Sequence, residues 1–275
     1  ASTACDTGSD SSSDDTGLFA ALGGVALLAL TSSATSANCP SGVVTSMDAA
    51  LPDWIRNNFI CAVGTVVGSN YVFTTSNLPN TNSFYWGSSS SMFEALPTGN
   101  NQAGNNLIES QNIVLTIPAN PTQNTGTLTE TGLGAIGLST NGIAIFSNDA
   151  APGDTLANEH TTFDNYNGHP QDQGIYHYHI EPTNISNDDS NLIGIALDGY
   201  PIYGRRDDNA TTDTSDDIIP DSTGANTLDA LHGHTQATLD FPDGTYHYHY
   251  AQDGTAGLPT LLGDSFYGVA GTARN

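Results

Sequence analysis

Residues 136–146 read Ile136-Gly-Leu-Ser-Thr-Asn141-Gly142-Ile-Ala-Ile145-Phe146, and residues 193–203 read Ile193-Gly-Ile-Ala-Leu-Asp198-Gly199-Tyr-Pro-Ile202-Tyr203. Both follow the pattern Ile-Gly-x-x-x-(Asn or Asp)-Gly-x-x-Ile-aromatic. Each is an apolar, β-branched run interrupted by a dipeptide that adopts the positive φ angles of a tight hairpin turn. The two stretches therefore predict two β-hairpins of the same design.

The similarity continues downstream of each hairpin into two histidine motifs. The first copy reads Phe163-Asp-Asn-Tyr-Asn-Gly-His169 and then Gly174-Ile-Tyr-His-Tyr-His179. The second reads Leu228-Asp-Ala-Leu-His-Gly-His234 and then Gly244-Thr-Tyr-His-Tyr-His249. The elements keep their order while the spacing grows, which is typical of a duplicated unit whose loops have diverged. We therefore predict an internally duplicated unit with copies at about 134–179 and 191–249.

Short strands between polar turns are predicted along most of the chain, which indicates an all-β fold. A sandwich or an open barrel is the expected architecture. We divide the sequence into an N-terminal extension (1–37), a β-rich region (38–111) and a domain that contains both repeat units (112–275).

The charge balance of the chain excludes some partners and favours others. Four Lys and Arg residues stand against 29 Asp and Glu, which gives a net charge of −25. Nucleic acids and anionic lipids both need a basic surface, so neither is expected as a partner. Cations are favoured instead. With only 12% charged residues, the composition is typical of an exported β-rich protein, and we expect an extracellular or cell-surface location.

The three cysteines, Cys5, Cys39 and Cys61, lie in the first quarter of the chain, far from the histidines. A thiolate metal site is therefore not expected. In an oxidising compartment one disulfide would form, either Cys39–Cys61 or Cys5–Cys39, with one thiol left over.

The N-terminal extension combines an acidic leader with an apolar run at residues 17–30. Fourteen residues are too few for a transmembrane helix, which needs about 20. The flank is acidic and lacks the basic residues of a signal peptide. We predict that this segment docks into a neighbouring subunit and makes the protein a homo-oligomer or filament. The alternative is that it packs on its own domain.

All eight histidines fall within residues 160–249. In a strand, alternate side chains share a face, so Tyr-His-Tyr-His places both histidines on one face and both tyrosines on the other. A third ligand is expected from each Gly-His pair. The predicted metal ligands are therefore His169, His177 and His179 in the first unit and His234, His247 and His249 in the second.

Two aspartates precede the Gly-His pairs by the same distance. Asp164 and Asp229 are candidates to accept the second ring N–H of a ligand histidine, as carboxylates around metal sites commonly do. The alternative is that they cap turns. His160 and His232 have no equivalent in the other copy and are expected to lie outside the sites.

Nitrogen ligands favour copper first and zinc second, because Cu²⁺ binds tightest in the divalent series. The two histidine sets would form two mononuclear sites or face each other across a pseudo-two-fold axis around a metal pair. The acidic stretch 205–221 is a further candidate for calcium, although it lacks the regular spacing of an EF-hand. A solvated loop is the alternative there.

From about Asn112 to the C-terminus the chain resembles the YHYH family. The matching motifs are Ile-Pro-Ala-Asn-Pro, the Asn141-Gly142 hairpin, Phe-Asp-x-x-x-Gly-His-Pro, Ala-Leu-Asp-Gly-Tyr-Pro-Ile-Tyr-Gly and both Tyr-His-Tyr-His tetrapeptides. The resemblance implies a secreted protein and brings little mechanism. Many family members carry cysteines close to the Gly-His elements, whereas this chain has none beyond Cys61.

Together these features predict an extracellular copper-binding β-protein that assembles through its N-terminal segment. One alternative is a secreted copper-dependent oxidoreductase, and another is a surface adhesin with a structural metal. No serine or cysteine nucleophile accompanies the histidines, so a binding role is favoured over an enzymatic one.

Overall fold

The computed structural model describes residues 38–275, apart from residues 101, 188, 221–226, 252–257 and 262–263. The described residues belong to one compact unit. The N-terminal extension and Cys5, with the docking predicted for them, lie outside this part of the chain. Among the described residues, no helix has the length and apolar character needed to cross a membrane.

Strands and short helical turns alternate along the described chain. The strands are β1 (Ser46–Met47), β2 (Val63–Val67), β3 (Asn70–Thr75), β4 (Ile113–Pro118), β5 (Ala135–Ser139), β6 (Ala144–Phe146), β7 (Gly168–Pro170), β8 (Tyr176–Tyr178), β9 (Leu192–Ala196), β10 (Pro201–Tyr203), β11 (Gly233–Gln236), β12 (Thr245–His249) and β13 (Thr272–Arg274). The helices are α1 (Asp53–Arg56) and α2 (Leu156–Glu159), with 3-10 turns at Phe84–Trp86, His160–Thr162 and Asp172–Gly174. The all-β prediction is confirmed.

The first sheet has five strands in the order β1-β2-β3-β4-β13. Only the β1·β2 pair is parallel. In β4 the side chains of Ile113, Leu115 and Ile117 alternate inward, so one face of this sheet is apolar and faces the core. The last strand comes from the C-terminus, which returns to complete a sheet begun near residue 46.

The second sheet has eight strands in the order β11-β12-β10-β9-β5-β6-β8-β7. Strands β5–β8 and β9–β12 take equivalent positions on the two sides of the central antiparallel pair β5·β9. In that pair Leu138 lies opposite Ile195, its equivalent in the other copy. The duplicated sequence thus forms a sheet with a pseudo-two-fold axis at its centre, and it places the two Tyr-His-Tyr-His strands near opposite edges.

The hairpin turns differ in one detail from the prediction. Gly142 and Gly199 take positive φ angles of 80° and 92°, whereas Asn141 and Asp198 do not. The N–H of Gly142 donates to the carbonyl of Ser139, which closes a four-residue turn that needs only one left-handed residue. The turns therefore do not depend on the Asn and Asp side chains, which instead hydrogen-bond to tyrosines of the Tyr-His-Tyr-His strands.

A single apolar cluster joins residues of both sheets, including Phe73 and Leu115 from the first and Leu138, Ile145 and Ile195 from the second. All five are fully buried. Neither sheet closes on itself among the described strands. Of the two predicted architectures, the structure has the sandwich.

One disulfide joins Cys39 to Cys61. This is one of the two pairings that the sequence left open. It ties the residues before β1 to the start of β2, on the first sheet and away from the histidines.

Candidate metal sites

Strand pairing brings the histidines of each copy together. Strand β8 runs antiparallel to β7 and places His177 directly opposite His169. Strand β12 runs antiparallel to β11 and places His247 directly opposite His234. Directly opposed side chains in such pairs lie about 4.5–5.5 Å apart at Cβ. The upstream Gly-His pair therefore supplies the third imidazole of each histidine cluster.

The first cluster consists of His169, His177 and His179, and their Nε2 atoms point at one another. Nε2 of His177 lies 3.1 Å from Nε2 of His169 and 2.8 Å from Nε2 of His179. Two nitrogens bound to one ion such as zinc, each about 2.0–2.1 Å from it, are separated by about 2.8–3.4 Å. The observed spacing thus fits a shared ion.

The hydrogen bonds at Nδ1 determine where the ring protons lie in two of these histidines. His177 Nδ1 lies 2.9 Å from the carbonyl oxygen of Ile175, and His179 Nδ1 lies 2.5 Å from that of Ser147. A carbonyl oxygen only accepts, so both Nδ1 atoms carry the proton. In each neutral ring Nε2 then presents a lone pair toward the cluster.

A threonine orients the third ring in the same way. His169 Nδ1 lies 2.7 Å from Oγ1 of Thr162, whose single hydroxyl proton is donated to the carbonyl of Glu159 over 2.6 Å. Oγ1 therefore accepts from His169 Nδ1–H. Three lone pairs converge at hydrogen-bond distance with no proton between them, an arrangement that a bound cation would stabilise.

Burial disfavours protonation of the three imidazoles in the first cluster. Burial, reinforced by the neighbouring His179, lowers the pKa of His169 to about 3. Burial likewise holds the pKa of His177 well below its ordinary value and lowers the pKa of His179. All three imidazoles are neutral at pH 7, which is the state that binds metal.

The second cluster contains His234, His247 and His249, together with a carboxylate. Nε2 of His234 lies 3.0 Å from Nε2 of His247. Nδ1 of His247 donates to the carbonyl of Thr245, and Nδ1 of His249 donates to that of Gly204. The carbonyls of Gly204 and Ser147 occupy equivalent places, each one residue after the hairpin, so the duplication extends to the atoms that orient the rings.

Asp207 is the residue that sequence reasoning missed. Its Oδ1 lies 3.3 Å, 3.2 Å and 3.1 Å from the Nε2 atoms of His234, His247 and His249. Burial alone would raise the pKa of Asp207, but hydrogen bonds with the three histidines lower it below its usual range. The second cluster is therefore a three-histidine, one-carboxylate ligand set.

The sequence signal for Asp207 was present but ambiguous. It lies in the acidic stretch 205–221, which was a calcium candidate or a solvated loop. Within the described residues, Asp207 is the one member of that stretch that joins a group of three or more candidate ligands. The parallel pairing of β10 with β12 carries the segment after β10 over the histidines, and the sequence did not reveal that pairing.

Asp164 and Asp229 have partners other than the histidine ring N–H groups proposed for them. Oδ2 of Asp164 accepts a hydrogen bond from the hydroxyl of Tyr176 over 2.8 Å, and Oδ2 of Asp229 accepts one from Tyr246 over 3.0 Å. Both aspartates also accept backbone N–H groups of their own turns. They therefore hold the first tyrosine of each motif. Carbonyls accept the ring protons of the four Tyr-His-Tyr-His histidines, and Thr162 accepts that of His169.

The glycine of each Gly-His pair is required by that same tyrosine. A Cβ on Gly168 would lie 2.2 Å from the ring of Tyr176, and one on Gly233 would lie 2.2 Å from the hydroxyl of Tyr246. The positive φ angles fall one residue earlier in each turn. The glycine of each Gly-His pair is thus explained by the tyrosine that packs against its Cα, and not by a left-handed backbone conformation at the glycine itself.

The Asn and Asp of the two hairpin turns contact the second tyrosine of each motif. Asn141 Nδ2 donates to the hydroxyl of Tyr178 over 3.1 Å, and the hydroxyl of Tyr248 donates to Asp198 Oδ2 over 2.6 Å. Each hairpin turn therefore anchors the strand that carries the histidines. Every tyrosine of the two tetrapeptides has a polar partner inside the fold.

Residues 114–222 match the family model described as YHYH protein. The resemblance inferred from the motifs is confirmed over these residues. The YHYH match includes the first cluster and Asp207, and it ends before the histidines of the second cluster. Searches of curated proteins and of solved structures found no match.

A cavity lies beside the first cluster. About 800 Å³ in volume, it is lined by all three histidines and by the carboxylates of Asp149, Asp154, Glu159 and Asp172. An ion at the first cluster would therefore have its remaining coordination positions on the cavity side. In the second cluster, by contrast, His247, His249 and Asp207 are at most 1% exposed.

The two remaining histidines lie outside the ligand groups found among the described residues. His160 packs edge-on against Phe163. His232 occupies the left-handed position in the turn before β11, and its Nδ1 lies 3.4 Å from the carbonyl of Thr260.

Proposed function

We propose that this chain is an extracellular metal-binding protein with two mononuclear sites, His169/His177/His179 and Asp207/His234/His247/His249. The observation that carries the proposal is the convergence of unprotonated Nε2 atoms at 2.8–3.1 Å in the first cluster. Four strands of the second sheet separate β8 from β12, which corresponds to about 24 Å along the sheet. Two separate ions are therefore proposed in place of one metal pair.

Copper is the proposed metal, with zinc as the alternative. Imidazole donors suit both ions, and Cu²⁺ binds the tighter of the two at such sites. Both clusters lack thiolates, so neither has the soft ligands that would select Cu⁺. The acidic chain, with a net charge of −25, attracts either cation.

The decisive experiment is the metal content of protein purified from its native source, followed by titration of the metal-free protein with Cu²⁺ and Zn²⁺. Two equivalents of copper, with nitrogen hyperfine structure in the electron paramagnetic resonance spectrum, are expected. Fewer than one metal ion per chain in both experiments would overturn the proposal. Native zinc with no copper would support the two sites and correct the choice of metal.

A copper-dependent oxidoreductase is the second candidate function, favoured by the cavity at the first cluster. Three histidines that leave positions open toward an 800 Å³ space match the general plan of a catalytic metal site, in which three protein ligands leave room for substrate. Oxygen consumption by the copper-loaded protein with candidate reductants tests this function. An adhesin with a purely structural metal would show no turnover, but its thermal stability would depend strongly on the ion.

Self-assembly through residues 1–37 is part of the same proposal. Its support is the apolar run at residues 17–30, which would be an aggregation hazard if it were exposed. The Cys39–Cys61 disulfide supports an oxidising compartment outside the cytosol. Light scattering of chains with and without residues 1–37 tests the assembly, which is excluded if the two assemble equally.

A further inference from the structure

Glu159 lies beside the first cluster and contacts two of its three histidines by different routes. Its side-chain Oε2 is 3.3 Å from Nε2 of His179. Its backbone carbonyl accepts the hydroxyl of Thr162, which in turn accepts Nδ1–H of His169. A change at Glu159 would therefore reach the cluster through the carboxylate and through the ring orientation of His169.

One oxygen of this carboxylate is anchored and the other is not. Oε1 accepts the backbone N–H of Ala151 over 3.1 Å. Oε2 is buried at the atomic level and has no hydrogen-bond partner. A buried carboxylate oxygen without a donor costs free energy unless a cation is supplied. The Oε2–Nε2 distance of 3.3 Å matches two ligands on one ion, for which about 2.8–3.4 Å is expected. The carboxylate lies outside the tighter group formed by the three histidine nitrogens, so it would have to swing inward to share their ion.

We propose that Glu159 is the fourth ligand of the first site and that it is displaceable, so that a small donor molecule from the cavity takes its place. The inference rests on metal binding at the first site. Glu159 approaches one histidine, whereas Asp207 lies within 3.3 Å of all three in its own cluster. Its side chain is 13% exposed against 1% for Asp207, and it faces the cavity.

The carboxylates of Asp149, Asp154 and Asp172 also line this cavity, and none of its described lining residues is Arg or Lys. The entering donor is therefore neutral or cationic, and an anion is disfavoured. Imidazole is a suitable probe because it coordinates through a neutral nitrogen, and azide serves as the anionic comparison. In this proposal the first site exchanges one protein ligand, Glu159, for a small donor molecule, while the second site keeps its four protein ligands.

The test compares copper-loaded wild type with Glu159→Gln and with Asp172→Asn. Asp172 is exposed on the cavity wall, so its substitution removes the same charge but leaves in place the carboxylate that lies 3.3 Å from His179. A competing chelator should remove copper in a fast phase from the first site and a slow phase from the second. Glu159→Gln should accelerate the fast phase about 10–100-fold, a range drawn from substitutions beside metal ligands, and should leave the slow phase unchanged.

Imidazole should alter the spectrum of one copper in wild type, at lower concentration than azide does. In Glu159→Gln this response should need less imidazole, because no carboxylate competes. Identical behaviour of Glu159→Gln and Asp172→Asn would overturn the inference and leave the metal sites standing. Failure of wild type to bind copper or zinc would instead overturn the proposed function. If Glu159→Gln loses the slow phase as well, Glu159→Asp, which keeps the charge but withdraws the oxygen by one methylene, provides the same comparison.

Discussion

The two histidine clusters are built by equivalent strands but are closed in different ways. Each takes two imidazoles from a Tyr-His-Tyr-His strand, one from a Gly-His pair, and its ring orientation from a carbonyl just after a hairpin. Asp207 closes the second cluster from within the protein, whereas the first opens to a cavity of about 800 Å³. The strands thus determine the three-histidine geometry, while the loops determine whether a cluster is closed by a carboxylate or opens to a cavity.

Removing the carboxylate of the second cluster should have the largest effect. Asp207→Asn keeps the side-chain size but removes the charge, so we expect a loss of copper affinity of more than about 100-fold at that site. A loss of that size takes away about 2.7 kcal/mol of metal-linked stability at fixed free metal. Thermal unfolding with copper and with chelator measures the difference. Asp213→Asn, in the same acidic stretch but fully exposed, is the control, and an equal response of both variants would contradict the assignment.

In the metal-free protein, the two clusters should make different contributions to the pH dependence of the free energy of unfolding. Burial lowers the pKa of His169 to about 3, and lowers the pKa of His177 and His179, while the unfolded chain titrates near pH 6.5. The unfolded state then binds more protons, so the free energy of unfolding falls as the pH drops from about 6.5 toward 3. The slope is about 1.4 kcal/mol per pH unit for each histidine.

In the second cluster burial also lowers the pKa of His247, but its hydrogen bond with Asp207 opposes that shift. Replacing His177 by Gln should therefore flatten the dependence of stability on pH more than replacing His247 by Gln. Urea unfolding of chelator-treated variants between pH 7 and pH 5 measures both slopes. If both variants flatten the pH dependence of stability equally, Asp207 does not make the second cluster titrate differently from the first.

Filling the space beside the first tyrosine should destabilise both units. Gly168→Ala and Gly233→Ala would each place a Cβ 2.2 Å from a tyrosine atom. Forced overpacking of this kind costs about 1–3 kcal/mol. Gly168→Ala should have the larger effect because Tyr176 is fully buried, whereas Tyr246 is 6% exposed. Guanidinium unfolding measures the cost, and Gly104→Ala, whose Cβ meets nothing closer than 3.8 Å, should be nearly neutral.

Loss of a tyrosine hydroxyl should also distinguish the two units, and Tyr246→Phe should have the smallest effect of all these variants. Tyr176→Phe removes a hydrogen bond to Asp164, which is 2% exposed, and should cost about 1–3 kcal/mol because a buried carboxylate loses a donor. Tyr246→Phe removes the equivalent bond to Asp229, which is exposed to water, and should cost about 0.5 kcal/mol. Denaturant midpoints distinguish the two. A larger cost for Tyr246→Phe would reverse the order of burial on which the comparison rests.

Much of the fold and part of the site were accessible from local patterns. The hairpins and the all-β class follow from period-two hydrophobicity and turn residues, which are short-range signals. The same-face placement of His177 and His179 follows from the pleat alone. The contacts made by Asp164 and Asn141 did not follow, because the sequence does not show which side chain a carboxylate or amide meets across a sheet.

By itself, the sequence determined the duplication, the strand that carries each histidine pair and the six imidazoles that meet in two sets of three. Only the tertiary structure decided that the sets lie near opposite edges of one sheet, that Asp207 closes one of them and that Glu159 stands beside the other. The physical reason is the range of the interactions. Alternation along a strand is local, whereas the parallel pairs β6·β8 and β10·β12 join segments that lie far apart in the chain, and those pairs bring the carboxylates to the histidine clusters.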